Sequence, residues 1–152
     1  MTVLRDDINS ALKEAMKSGQ ARRVSTLRLI NAAVLQRETS GAERITLTDA
    51  EILDVMSKMI KQRQESLDIY EKAGRAELAA QEREEIEIIS TYLPKRMSDM
   101  EAASAISAMV KEIGAETLKD MGRTMAALKQ RFSGQMDFGK AGARVKKLLG
   151  GG

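Results

Sequence analysis

Residues 92–114 read YLPKRMSDMEAASAISAMVKEIG: a proline, a capping box, a helical stripe and a glycine in succession. Ser98 followed by Glu101 is the pattern in which each side chain satisfies the other residue's backbone N–H at a helix start. Ala103, Ile106, Val110 and Ile113 then recur at helical spacing, and Gly114 supplies the stop. Pro94 has no N–H to donate and its ring obstructs a preceding helical turn. Tyr92-Leu93-Pro94-Lys95 is therefore the expected joint between residues 1–94 and residues 95–152.

The same period extends in both directions. Before the joint it predicts a helix over 3–17 (Leu4, Ile8, Leu12 and Ala15 or Met16 inward) and a second over 21–38 (Val24, Leu27, Ile30, Val34). Thr48 and Glu51 form another capping box, opening a third helix with Ile52, Met56, Met59, Ile60, Leu67 and Tyr70 inward, up to Gly74. A fourth is expected over 75–92, burying Leu78, Ile86, Ile89 and Leu93. After residues 98–114, Met121, Met125, Leu128 and Phe132 mark a helix over 118–132. Asp137 can cap a last one that buries Phe138, Ala141, Val145 and Leu148 or Leu149 before a Gly150-Gly151-Gly152 tail. Nothing alternates with period two, so no sheet is expected. The predicted class is all-α: an amino-terminal antiparallel four-helix bundle, 1–94, and a small three-helix domain, 95–152.

Composition restricts the chemistry. The 152 residues contain His 0 and Cys 0, so there is no imidazole base, no thiolate nucleophile, and neither imidazole nor thiolate to ligate zinc, copper or haem iron. Neither a catalytic residue, a metal site nor a cofactor is expected. No apolar run approaches the ~20 residues that span a bilayer, and Arg5, Asp6 and Asp7 interrupt any leader-like start, so a cytoplasmic protein is expected.

Charge is unequally divided. Residues 1–94 hold 14 Lys+Arg and 16 Asp+Glu, net −2, whereas residues 95–152 hold 11 and 6, net +5. A small helical unit with that surplus has the electrostatic footprint of a phosphate binder. Lys140, Arg144 and Lys147 stand at i, i+4 and i+7 of the last helix; Lys119 and Arg123 stand at i and i+4 of the one before, with Lys129 and Arg131 near its carboxyl end. These seven are the candidate RNA-binding residues. Phe132 and Phe138 are the aromatics of this half and the core needs both, so a folded RNA read by shape fits better than unpaired bases read by stacking.

Three other patterns are weaker. Gly134 to Lys140 fits the opening of a phosphate loop, but Ala141 stands where a hydroxyl must meet magnesium and no strand precedes it. A modest version survives, in which the N–H groups after Asp137 take one phosphate at a helix amino end beside Lys140. Ser10 to Lys13 reads S-x-x-K without the companion motifs of acyl transfer. Glu82, Glu84, Glu85 and Glu87 read as a solvated helix face.

Residues 12–17 (LKEAMK), 25–30 (STLRLI), 70–75 (YEKAGR) and 92–95 (YLPK), in that order and spacing, resemble the YqeY family of small bacterial proteins. Residues 120–125 (DMGRTM), with Gly134 and Asp137 downstream, are similar to the tail of the GatB subunit of tRNA-dependent amidotransferases. The resemblance implies a two-domain helical fold and, by analogy with a tail that helps hold tRNA, a non-catalytic accessory module for tRNA or another structured RNA. GatB tails tend to have a basic residue after the glycine matching Gly134; Gln135 stands here, which argues against a phosphate contact at that point. Two alternatives stay open. One is a protein–protein adaptor in the translation machinery using Met97, Met100, Met121 and Met125 in a groove between the domains. The other is an amidotransferase-associated subunit, whose carbon–nitrogen ligase activity with glutamine as amido donor would need partner subunits.

Overall fold

A computed structural model describes residues 3–150; the expected Gly151 and Gly152 tail lies outside the described residues. Among them are seven α-helices and no strand: α1 Val3–Lys17, α2 Ala21–Thr39, α3 Asp49–Lys72, α4 Ala76–Ser90, α5 Asp99–Glu112, α6 Met121–Phe132 and α7 Phe138–Leu149. A short 3-10 turn, Leu118–Asp120, leads into α6. The chain divides into two compact units, Met1–Leu93 and Pro94–Gly152.

Local chemistry sets the helix ends. Thr48 accepts from the Glu51 N–H at 3.2 Å while the Glu51 carboxylate accepts the Thr48 N–H at 3.1 Å. Ser98 and Glu101 repeat the exchange at the start of α5, both bonds being 3.1 Å. At the other ends, Gly19, Gly74, Gly114 and Gly134 have φ between +67° and +76°, a left-handed conformation that a Cβ would strain.

In the first unit Ile8, Leu27, Ile30, Leu47, Ile52, Met56 and Ile89 are almost fully buried. Leu47 lies in the connection after α2, held there by Glu38. This carboxylate is 4% exposed, accepts the Leu47 N–H at 2.9 Å and pairs with Arg5. The Leu47 N–H and then Arg5 hold the Glu38 carboxyl below its ordinary range, against the opposing effect of burial. In the second unit Ile106, Met109, Leu128, Met136, Ala141, Val145 and Leu149 form the core.

One inward assignment shifts by one position. Leu78 is exposed and Ala79 buried instead. Of the two pairs left open, Ala15 and Leu149 are the buried members, Met16 and Leu148 the exposed ones.

Candidate nucleic-acid interface

The last two helices carry most of the predicted cations, and the turn between them fixes where they begin. Gly134 reverses the chain after Phe132, the Gln135 N–H donates to the Phe132 carbonyl at 2.9 Å, and Met136 is buried in the core. Asp137 then caps α7, its carboxylate accepting the N–H groups of Gly139 at 2.8 Å and Lys140 at 3.3 Å. This corrects the expectation that a phosphate would occupy that helix end: the donors are taken by the protein's own carboxylate, whose charge also repels an incoming anion.

The seven predicted residues are all exposed, but they fall into two kinds. Lys119, Lys129, Lys140, Arg144 and Lys147 make no ion pair with another described residue. Arg123 and Arg131 are engaged inside the unit. The Arg123 guanidinium donates to the carbonyls of Ile113 at 2.7 Å and Gly114 at 3.3 Å, and to Asp120 at 3.1 Å, closing the carboxyl end of α5. Arg131 forms a bidentate pair with Glu112, at 2.7 and 3.0 Å, which ties α6 to α5. Both were placed on the RNA face because helical spacing shows a cation's position and not its partner ten or nineteen residues away. The structure removes them from the free charge. Lys146, which the spacing argument passed over, is exposed on α7 and carries no ion pair with a described residue.

The carboxylates of this unit are mostly spent on its architecture. Asp120 accepts the N–H groups of Glu116 at 2.8 Å and Thr117 at 3.2 Å as well as Arg123, and these three, in that order, hold its carboxyl down to about 2. Glu101 is lowered by the Ser98 backbone and hydroxyl, with Lys95 adding a smaller pull. Glu112 is lowered by Arg131. With Asp137 at its cap, four of the six acids are committed to helix ends or an internal pair, leaving Asp99 and Glu116.

The segment Asp120 to Met125 now has a physical reading. Asp120 and Arg123 lock the start of α6 to the end of α5, and Thr124, 0% exposed, donates its hydroxyl to the Asp120 carbonyl at 2.8 Å. That motif is a folding device. Phe132 and Phe138 are partly buried against the core, which takes up ring surface that base stacking would need. Met97, Met121 and Met125 also pack against the core, whereas Met100 is 82% exposed.

The acidic run of α4 departs from a purely solvated face. Glu85 is 5% exposed and accepts from Arg63 of α3 at 2.9 Å, while a Glu82 carboxylate oxygen is buried without a hydrogen-bond partner. Burial first, and then the neighbouring Glu85 charge, push the Glu82 carboxyl above its ordinary range. Glu84 and Glu87 are exposed as expected. No helix among the described residues is long and apolar enough to cross a membrane.

The sequence profile described as Yqey-like protein matches residues 5–149. An uncharacterised protein of Schizosaccharomyces pombe is 30% identical over 93 residues, 61% of this chain and 74% of that protein. Altered inheritance of mitochondria protein 41, mitochondrial, of Lachancea thermotolerans is 29% identical over 109 residues, covering 70% of this chain and 58% of the relative. The protein of the same name from Candida glabrata is 29% identical over 82 residues, 54% of this chain and 45% of the relative.

Proposed function

The chain belongs to the YqeY-like family, and from that premise we propose that it is a non-catalytic module that binds tRNA or another structured RNA through the cationic faces of residues 95–152. The observation that carries the reading is the state of the charges in this unit. Five predicted cations are exposed and free of ion pairs with described residues, while four of its six acids are used up by helix caps and one internal pair. A polyanion approaching the unit meets a surplus of positive charge, eleven Lys and Arg against six Asp and Glu.

In this reading residues 1–94 are a helical bundle that carries the RNA-binding domain, and the module works in the cytoplasm beside the aminoacyl-tRNA machinery. Kinship with the amidotransferase tail belongs to the same proposal, as does the preference for folded RNA. Packing of Phe132 and Phe138 into the core supports that preference, because contact through Lys and Arg alone reads backbone geometry and not bases.

The test is the charge reversal Arg144→Glu with Lys147→Glu, assayed against total cellular tRNA. Both side chains are exposed and form no ion pair with a described residue, so helical circular dichroism and melting temperature are expected to stay unchanged while affinity falls. Undiminished binding by a folded double variant refutes this surface, and absence of binding by the wild-type chain at low salt refutes the function.

A further inference from the structure

We infer that Lys95 and Arg96, on the entry segment of the second unit, form a phosphate-contact point of the RNA surface in addition to the α7 stripe; this rests on the RNA-binding reading above. Neither entry residue belongs to a helix, and helical spacing therefore cannot find them. What places them is one backbone bond. The Met97 N–H donates to the Gln135 carbonyl at 2.8 Å, which pins the segment entering α5 onto the turn between α6 and α7. That turn leads within five residues to Lys140, in the first turn of α7.

The segment is held on both sides of the tie. Met97 packs against the core, and Ser98 is locked by its reciprocal exchange with Glu101. Arg96 is thus one Cα step, and Lys95 two, from a residue fixed by a hydrogen bond, by packing and by a helix cap, at about 3.8 Å per step. Both cations are exposed and neither forms an ion pair with a described residue. Two of the three nearby acids are already occupied, Asp99 being the exception. Glu101 has its carboxylate on the Ser98 N–H, with Lys95 acting on it only at longer range, and Asp137 has its carboxylate on the N–H groups of Gly139 and Lys140. A cation held on a short, anchored backbone loses less conformational entropy on meeting a phosphate than one on a free loop.

The experiment compares four full-length chains, wild type, Lys95→Gln with Arg96→Gln, Arg144→Gln with Lys147→Gln, and the quadruple variant, binding total cellular tRNA across a salt series. Each phosphate contact removed lowers the slope of log affinity against log salt by about one. The entry-segment variant is expected to lose close to two from that slope and roughly a hundredfold in affinity at 0.1 M salt, with an unchanged melting curve. Wild-type affinity and slope in that variant, alongside a loss in the α7 variant, overturn the inference and leave the RNA-binding reading standing. No binding by the wild-type chain overturns both. A lowered slope in both double variants, with the quadruple variant losing the sum, establishes one surface with two contact points.

Discussion

Glu38 gives the sharpest prediction for the first unit. Its carboxylate is 4% exposed and holds the Leu47 N–H at 2.9 Å together with the Arg5 guanidinium, while its own carbonyl accepts the Ile45 N–H at 3.0 Å. Glu38→Gln keeps an oxygen for Leu47 but removes the charge from both side-chain bonds. A bond to a charged group contributes roughly 1 kcal/mol more than its neutral counterpart, so about 2 kcal/mol is lost at neutral pH. Glu38→Ala leaves the buried Leu47 N–H unpaired and is expected to cost about 3 kcal/mol, the lower end for breaking a buried pair because Arg5 is 30% exposed. For a unit of this size the Gln variant should melt about 8–16 °C lower. The pH dependence has a definite sign. Leu47 and Arg5 depress the folded carboxyl below its ordinary 4.5, so its contribution is fully present above that value and is lost as the pH falls through the lower, folded one. The gap between wild type and Glu38→Gln, measured by thermal melting with circular dichroism, should be constant from pH 7 to 5 and shrink below 4.5. A gap under 0.5 kcal/mol at pH 7, or one equally large at pH 2.5, refutes the assignment of roughly 2 kcal/mol to the charged bonds.

Arg123→Gln should lower the melting temperature of the second unit, because the carbonyls of Ile113 and Gly114 lose their donor, while tRNA affinity at fixed salt stays within twofold; a folded, stable variant with weakened binding contradicts the capping role. Asp120→Asn should also destabilise at neutral pH. Its folded carboxyl titrates near 2 against an ordinary 3.8, so the deficit persists at pH 4 and disappears only toward pH 2, which a carboxyl-detected NMR titration of the wild type can check. Asp137→Ala removes the α7 cap and should cost about 1 kcal/mol in chemical denaturation. Gly114→Ala, at φ +67° with open space around the added carbon, should cost about 1–2 kcal/mol from backbone strain alone.

What the sequence made legible was local. The Thr48–Glu51 and Ser98–Glu101 boxes, the Asp137 cap and the glycine stops lie within four residues of the groups they satisfy, and each is found where the pattern placed it. What it concealed was contact between distant positions. Arg131 meets Glu112 nineteen residues away, Arg63 meets Glu85 twenty-two away and Arg5 meets Glu38 thirty-three away. A helical period counts such side chains as surface, because it records direction and not what stands opposite. The same blindness counts Arg123 as a free cation and makes the buried Glu85 part of a solvated face. The stretch that carried the likeness to a tRNA-holding tail, Asp120 to Met125, proves to be built for helix closure, so likeness there speaks of shared architecture before shared ligand.

The carboxylates spent on helix ends in the second unit couple its shape to its electrostatic character. Unfolding releases Glu101, Glu112, Asp120 and Asp137 from the N–H and guanidinium groups that engage them, and the loosened chain then presents those negative charges to any nearby polyanion. The ordered unit is consequently the better cation, and a polyanion that prefers it becomes a folding ligand. Saturating tRNA should raise the melting temperature of this unit by mass action, and the increase should vanish in concentrated salt while the caps themselves endure.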